Sequence, residues 1–235
     1  MRIIVPSLNR WDCCHAVGLV HGTELLVPTS QVARYMEHNS AIPVQSWGES
    51  DTTKPVSPAI WMNPILEGHY GSGWIGIVLD DIKALIPQPW SNDSRKIRGD
   101  EAESILKELV AHGEQSGATL AGFSGRVGTH TPEFQERVYA AETAFAIKVP
   151  VETRISPMSF RFWNLSLCAE LCRKGMKVLR WNKYMTWSNE LKSHGKTFTN
   201  WLSAGVHDDE FTHENYPEAL EKRGRYYYYV EPFTT

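Results

Sequence analysis

Short unbroken apolar runs alternate along the chain with apolar residues set at helical spacing. Arg2 to Val5 reads as a buried strand stopped by Pro6, and Glu24 to Val27 as a second strand ended by Pro28. Ser30 then caps a short helix that carries Val32, Ala33 and Met36 on one face. Ile42 to Val44 predicts a third strand, and the Ser-, Thr-, Asp- and Pro-rich stretch from Ser46 to Pro58 a loop. Trp74 to Leu79 is apolar at every position, as expected of a central strand covered by helices on both faces. A loop from Pro87 to Asp100 leads into Ala102, Ile105, Leu106, Leu109 and Val110 at helical spacing, with Gly113 as the expected stop. Leu120 to Phe123 and Ala144 to Val149 predict strands. Leu165, Cys168, Leu171 and Cys172 predict a helix ending at Gly175, and Met176 to Trp181 the strand after it. Tyr216 to Arg223 predicts a last helix and Tyr226 to Val230 a last strand.

This alternation predicts a single α/β domain over residues 1–235, with a mostly parallel central sheet flanked by helices. Sheets of that kind bind ligands at the carboxyl ends of their strands, so chemistry is sought there.

Composition narrows the classes. The chain has 235 residues with 24 Lys and Arg against 27 Asp and Glu, a formal charge of −3. That balance argues against nucleic-acid binding through bulk charge while leaving room for a local basic groove. No apolar run reaches the ~20 residues of a membrane helix, and the start does not read as a signal peptide. The four cysteines, Cys13, Cys14, Cys168 and Cys172, lack the spacing of a zinc site and are expected as buried free thiols in a reducing compartment. The expected location is therefore cytoplasmic, or the host cytoplasm if the chain is viral.

Neither a GxGxxG nor a GxxxxGK[ST] pattern is present. Directly after the central strand stands the pair Asp80-Asp81. Two carboxylates at a strand end can hold a divalent cation or accept from a ribose; they also suit a solvated acidic turn. His207-Asp208-Asp209-Glu210 is the second acid-rich segment, open to a metal or a general base on one reading and to an acidic helix start on the other. Arg10, Lys192, His194 and Lys196 are the candidate phosphate contacts. The consecutive tyrosines 226–229 suit base stacking or, in an edge strand, packing on one face.

Arg2-Ile3-Ile4-Val5-Pro6-Ser7-Leu8-Asn9-Arg10 resembles the opening strand of GT-A-fold glycosyltransferases, and Val78-Leu79-Asp80-Asp81-Ile82 their aspartate motif. Phe123-Ser124-Gly125-Arg126-Val127-Gly128 and Phe162-Trp163-Asn164-Leu165 through Arg173-Lys174-Gly175 resemble later segments of one branch, the TET-associated glycosyltransferases found mainly in bacteriophages. The chain departs from that pattern at three places, one being Ile60-Trp61 where an Arg-Asn pair is expected after the Ser57 loop. Ile82 comes after two acids where three are usual, and Arg161-Phe162-Trp163-Asn164 stands where relatives carry a Glu-Asp-Trp-Asp-like segment.

The resemblance implies a GT-A-like fold and sugar transfer from a nucleotide-diphosphate donor, of UDP type, to a hydroxylated or hydroxymethylated pyrimidine in DNA. On that basis the donor would meet Pro6, Ser7, Asn9, Arg10, Asp80, Asp81, His194 and Lys196. A divalent cation, manganese or magnesium, would sit on Asp81 and His207, and the acceptor on Arg126 and Trp163. Asp208 and Asp209 are the candidate bases, and Arg173, Lys174, Lys177, Arg180 and Lys183 the candidate DNA phosphate contacts. The alternatives are a non-catalytic GT-A-like module that binds nucleotide or DNA, a glycosyltransferase with another acceptor, and nucleotidyl transfer.

Overall fold

A computed structural model of the chain describes residues 1–53, 56–88, 95–124, 131–160, 162–188, 208–224 and 226–233. The expected phosphate, acceptor and metal residues Arg126, Lys192, His194, Lys196 and His207 lie outside this set.

The first half holds β1 (Arg2–Pro6), β2 (Thr23–Val27), α1 (Val32–His38), β3 (Val44–Ser46), α2 (Ala59–Leu66), β4 (Gly73–Val78), β5 (Ile82–Pro87) and α3 (Asp100–Ser116). The second holds β6 (Leu120–Ser124), β7 (Phe134–Glu136), β8 (Ala144–Val149), α4 (Trp163–Arg173), β9 (Val178–Ser188), α5 (Asp209–Asn215), β10 (Leu220–Arg223) and β11 (Tyr226–Tyr229). Among the described residues one nine-stranded sheet runs in the order β3-β2-β1-β4-β8-β6-β9-β5, with β7 also on β9. β1, β2, β3, β4, β6 and β9 point one way, and β5, β7 and β8 the other. The expected α/β domain with a mostly parallel sheet is what the chain forms.

Side-chain alternation divides the core in two. Ile4, Ile75, Ile77, Phe145 and Ile147 pack on α2 and α4, while Ile3, Val5, Trp74, Val78 and Ala146 pack on α3 and Tyr35 of α1.

Several elements differ from the sequence reading. α3 runs through Gly113 to Ser116, and Gly117, at φ 70, supplies the left-handed cap. A Cβ on Gly113 would lie 2.7 Å from the Trp74 ring, so this glycine makes room for a core side chain and is not a stop. The helix expected over Tyr216–Arg223 is replaced by α5 upstream of it and by an antiparallel hairpin, β10 with β11, that pairs Leu220 with Tyr229. Gly224 at φ 64 turns the chain between the two strands. The strand expected to end at Trp181 continues to Ser188 because β5, a strand not foreseen, pairs along it. α2, a second unforeseen element, comes directly after Pro58. No cysteine among the four forms a disulfide, and Cys13 is exposed, not buried. Among the described residues no helix is long and apolar enough to cross a membrane.

The strand order places the site. After β1 the chain steps outward to β2 and β3, then returns to lay β4 on the other side of β1. The carboxyl ends of β1 and β4 therefore flank a topological switch point, where connections diverge and leave a crevice. β8 is antiparallel to β4 and pairs Ala144 with Val78, so the start of β8 opens on the same crevice.

Candidate functional site

A cleft of about 310 Å³ occupies this switch point. One wall is Pro6, Ser7, Leu8 and Arg10 after β1 with Leu79, Asp80 and Asp81 after β4. Trp47, Trp61 and Trp163 add aromatic surface, and Tyr139, Glu142, Thr143 and Asn164 form the side opposite β1.

Asp80 is the most constrained group. The Ser7 hydroxyl donates to its Oδ2 at 2.8 Å, and the Arg10 guanidinium lies 3.2 Å from its Oδ1. The Asp80 side chain retains 17% of its exposure and Arg10 12%. Burial pushes the Asp80 carboxyl up to about 6; Asp81 adds to the rise, while Arg10 and the Ser7 hydroxyl oppose it. The turn that carries the acids closes through Ile82 N–H to the Leu79 carbonyl at 3.3 Å. The Asp80 carbonyl accepts from His15 N–H at 3.0 Å, which ties the two connections together.

α1 grips the loop after β1. The Tyr35 hydroxyl accepts the Arg10 N–H at 3.0 Å and lies 2.7 Å from Ser7 Oγ. Because Ser7 donates to Asp80, Tyr35 donates to Ser7, and a continuous relay runs from the Arg10 backbone to the Asp80 carboxylate. Gln31 takes the Asn9 N–H at 2.9 Å and donates back to the Asn9 side chain, holding Asn9 at φ 58. Asn9 thus shapes the loop and does not line the cleft.

The far side is equally fixed. Asn164, in the first turn of α4, donates to the Tyr139 hydroxyl at 2.6 Å and to the Glu142 carbonyl at 3.0 Å. Leu79 N–H donates to the Thr143 carbonyl at 2.9 Å, and the Thr143 hydroxyl to Thr186 at 2.6 Å. Trp61 and Trp163 meet edge to face with centroids 5.1 Å apart.

Of the residues singled out from sequence, Pro6, Ser7, Arg10, Asp80, Asp81 and Trp163 come together in the cleft. Asp208 and Asp209 do not line it. Asp208 is 3% exposed and accepts the Phe160 and Phe162 backbone N–H groups at 2.7 and 3.2 Å, so it anchors a loop where a base was expected. The basic stretch is also spoken for: Arg173 pairs with Glu218, Lys174 with Glu170, Lys177 with Glu136 and Arg180 with Glu231. Arg173 ends α4, roughly 15 Å along the helix from Trp163, which starts it in the cleft. Lys183 lies over the Trp181 and Tyr184 rings. Sequence reasoning missed Glu142, Tyr139, Trp47 and Trp61, because none of them sits in a recognisable pattern. Glu142 stands two residues before the strand Ala144–Val149, a position that an antiparallel strand turns toward the crevice.

Among the described residues no three His, Cys, Asp or Glu side chains converge on one point. Asp81 offers a carboxylate, and Asp80 already carries Ser7 and Arg10. These residues fit a cation that arrives with a ligand's phosphates and takes few protein ligands.

Comparison with protein-family models finds no match, and comparison with curated proteins finds none. Among solved structures, a UDP-glucose pyrophosphorylase complexed with UDP-glucose matches at 8% identity and TM-score 0.43, over 88% of this chain and 99% of that one. The inositol-1-phosphate CTP transferase from T. maritima matches at 10% identity and TM-score 0.41, over 87% of this chain and 95% of that one. Neither likeness is strong enough to say what the cleft holds, which rests on its own side chains.

Proposed function

We propose that the chain is a glycosyltransferase that binds a nucleotide-diphosphate sugar in the switch-point cleft. The observation that carries this reading is Asp80, held between Ser7 and Arg10 where β1 and β4 diverge, with tryptophan surface alongside. A planar base and an apolar ring face suit the aromatic surface. Arg10 suits a diphosphate, with Asp80 orienting the guanidinium toward the cleft. Asp81 would hold a divalent cation bridging to the diphosphate, and such an ion, when bound, offsets charge on the leaving group. Asp80 accepts a ribose hydroxyl if its carboxylate turns from one of its present partners.

Nucleotidyl transfer is the less supported chemistry. A triphosphate needs several cations or a glycine-rich loop after the first strand. From Ser7 to Val17 there is no glycine, and Arg10 is the sole Arg or Lys. The acceptor implied by the sequence resemblance, a hydroxylated or hydroxymethylated pyrimidine in DNA, is one acceptor to be tried. The internal pairing of the basic stretch gives a DNA backbone little to hold there.

The test is thermal melting with UDP, GDP and CDP, each with and without manganese, and then donor turnover. Glucose donors of the three nucleotides are offered duplexes carrying 5-hydroxymethylcytosine, 5-hydroxycytosine or cytosine, and simple sugars. A nucleotide-dependent rise in melting temperature and transfer from that donor are expected. Absence of any shift overturns the donor cleft, and binding without turnover makes the chain a binding module.

A further inference from the structure

We infer that Glu142 is the general base that takes the proton from the acceptor hydroxyl, an assignment that rests on the donor-cleft reading. Three carboxylate residues line the cleft among the described residues: Asp80, Asp81 and Glu142. Asp80 and Asp81 share the turn after β4, on the wall where Arg10 would receive the diphosphate. A base must act from the other side, because the incoming hydroxyl attacks the anomeric carbon on the face away from the departing diphosphate. Glu142 precedes β8, which lies across β4 from β1 and its Arg10. The register of β8 on β4 brings residue 142 up beside the acid turn, and α4 begins next to it.

Glu142 and the residue after it are held by three hydrogen bonds. The Glu142 carbonyl receives the Asn164 amide, the next residue's carbonyl receives Leu79 N–H, and that residue's hydroxyl binds Thr186. The side chain is half-buried and borders the cleft. No competing base is at hand among the described lining residues. None is a histidine, and the Tyr139 phenol is pushed well above its ordinary range by burial, with the Glu142 charge adding to the rise. The start of α4 supplies Trp163 and Asn164, neither of which takes a proton. Asn164 is a positioning residue: one amide fixes both the Glu142 carbonyl and the Tyr139 hydroxyl.

The step balances as a single displacement. The acceptor O–H bond breaks as its oxygen bonds to the anomeric carbon, and the proton passes to Glu142. The bond from that carbon to the diphosphate oxygen breaks with its electron pair, which leaves on the nucleoside diphosphate. Glu142 then releases the proton to solvent, and the configuration at the anomeric carbon is inverted.

The test uses the full chain with UDP, GDP and CDP as binding probes and their glucose conjugates as donors, with water as the minimal acceptor. For Glu142→Gln the nucleotide Kd, by calorimetry, is expected within twofold of wild type. Its donor hydrolysis is expected to fall 100-fold or more, the range in which general-base catalysis operates. Glu142→Asp should fall between the two, and an unchanged melting temperature establishes that both variants are folded. Wild-type hydrolysis by Glu142→Gln, or release of sugar with retained configuration, overturns the assignment of the base and leaves the donor cleft standing. Failure of wild type to bind any of the three nucleotides overturns the cleft itself, and binding without hydrolysis of any donor overturns transfer and the base together.

Discussion

Ser7 donates its hydroxyl proton to Asp80 across the ends of β1 and β4, at 2.8 Å and 73 residues apart in sequence. This bond joins the two strands that flank the crevice, and Arg10 completes it from the same loop at 3.2 Å. The carboxylate nonetheless ionises reluctantly, because burial outweighs its partners.

Replacing Asp80 should therefore separate stability from binding. Its carboxyl titrates at about 6 in the fold, above the ordinary carboxylate value of 3.8. Below that ordinary value folded and unfolded chains both hold the proton, and stability is at its fullest. As pH rises through about 6 the folded chain must ionise a buried group, and about 3 kcal/mol at most is lost. Asp80→Asn is expected to melt above wild type at pH 7.5, with the gap closing near pH 4, and to bind UDP more weakly. Melting below wild type at pH 7.5 would show that the Arg10 ion pair outweighs burial.

Tyr35→Phe removes one hydroxyl and two contacts. The Arg10 N–H loses its acceptor and Ser7 loses its donor. An unmet buried donor costs about 1–3 kcal/mol, so urea unfolding should shift by that amount. Nucleotide affinity should drop alongside it, because Arg10 and Ser7 are set by this hydroxyl. Unchanged affinity with lowered stability would confine Tyr35 to the fold.

Gly113→Ala pits helix propensity against packing. Alanine gains about 1 kcal/mol in a helix interior. The added methyl would sit 2.7 Å from the Trp74 ring and 3.3 Å from Ala121 Cβ, and such overpacking costs about 1–3 kcal/mol. Net destabilisation of about 1 kcal/mol is expected in urea unfolding. A stabilised variant would mean that Trp74 moves aside freely.

The basic stretch should divide by burial. Arg180 is 7% exposed and donates to Glu231 at 2.8 Å, Gln135 at 2.6 Å and the Tyr139 carbonyl at 3.1 Å. Arg180→Ala strands these groups and is expected to cost about 3–5 kcal/mol. Lys177, in an exposed pair with Glu136, should cost less than about 1 kcal/mol when made Ala. If either variant weakens binding to a DNA duplex without loss of stability, the stretch contacts phosphate after all.

Local pattern carried much of the fold. Ala144–Val149 is read from sequence with its bounds intact, because its residues are apolar and buried except for the exposed Lys148. β5 escaped because Lys83 and Pro87 interrupt its apolar run, and it is held by β9, about a hundred residues away. The cleft wall after β1 and β4 was legible from proline, serine, arginine and aspartate at two strand ends. The opposite wall was not. Tyr139, Glu142 and Asn164 face the cleft through strand register and one shared amide, neither of which leaves a mark on sequence. Asp208 shows the converse: an acid beside a histidine invites a chemical role, and its surroundings give it two backbone N–H groups to hold.

Because β8 enters the sheet head-first against β4, the cleft is assembled from two stretches that do not interleave along the chain. Residues between Pro6 and Asp81 make one part, and residues between Tyr139 and Asn164 the other. On the proposed function, the recombination unit for changing what receives the sugar is thus a single contiguous cassette of the gene. Exchanging it leaves the loops after β1 and β4 untouched, provided that Gly122, which lies outside the cassette, stays glycine, because a Cβ there would fall 1.8 Å from the Ala140 carbonyl oxygen.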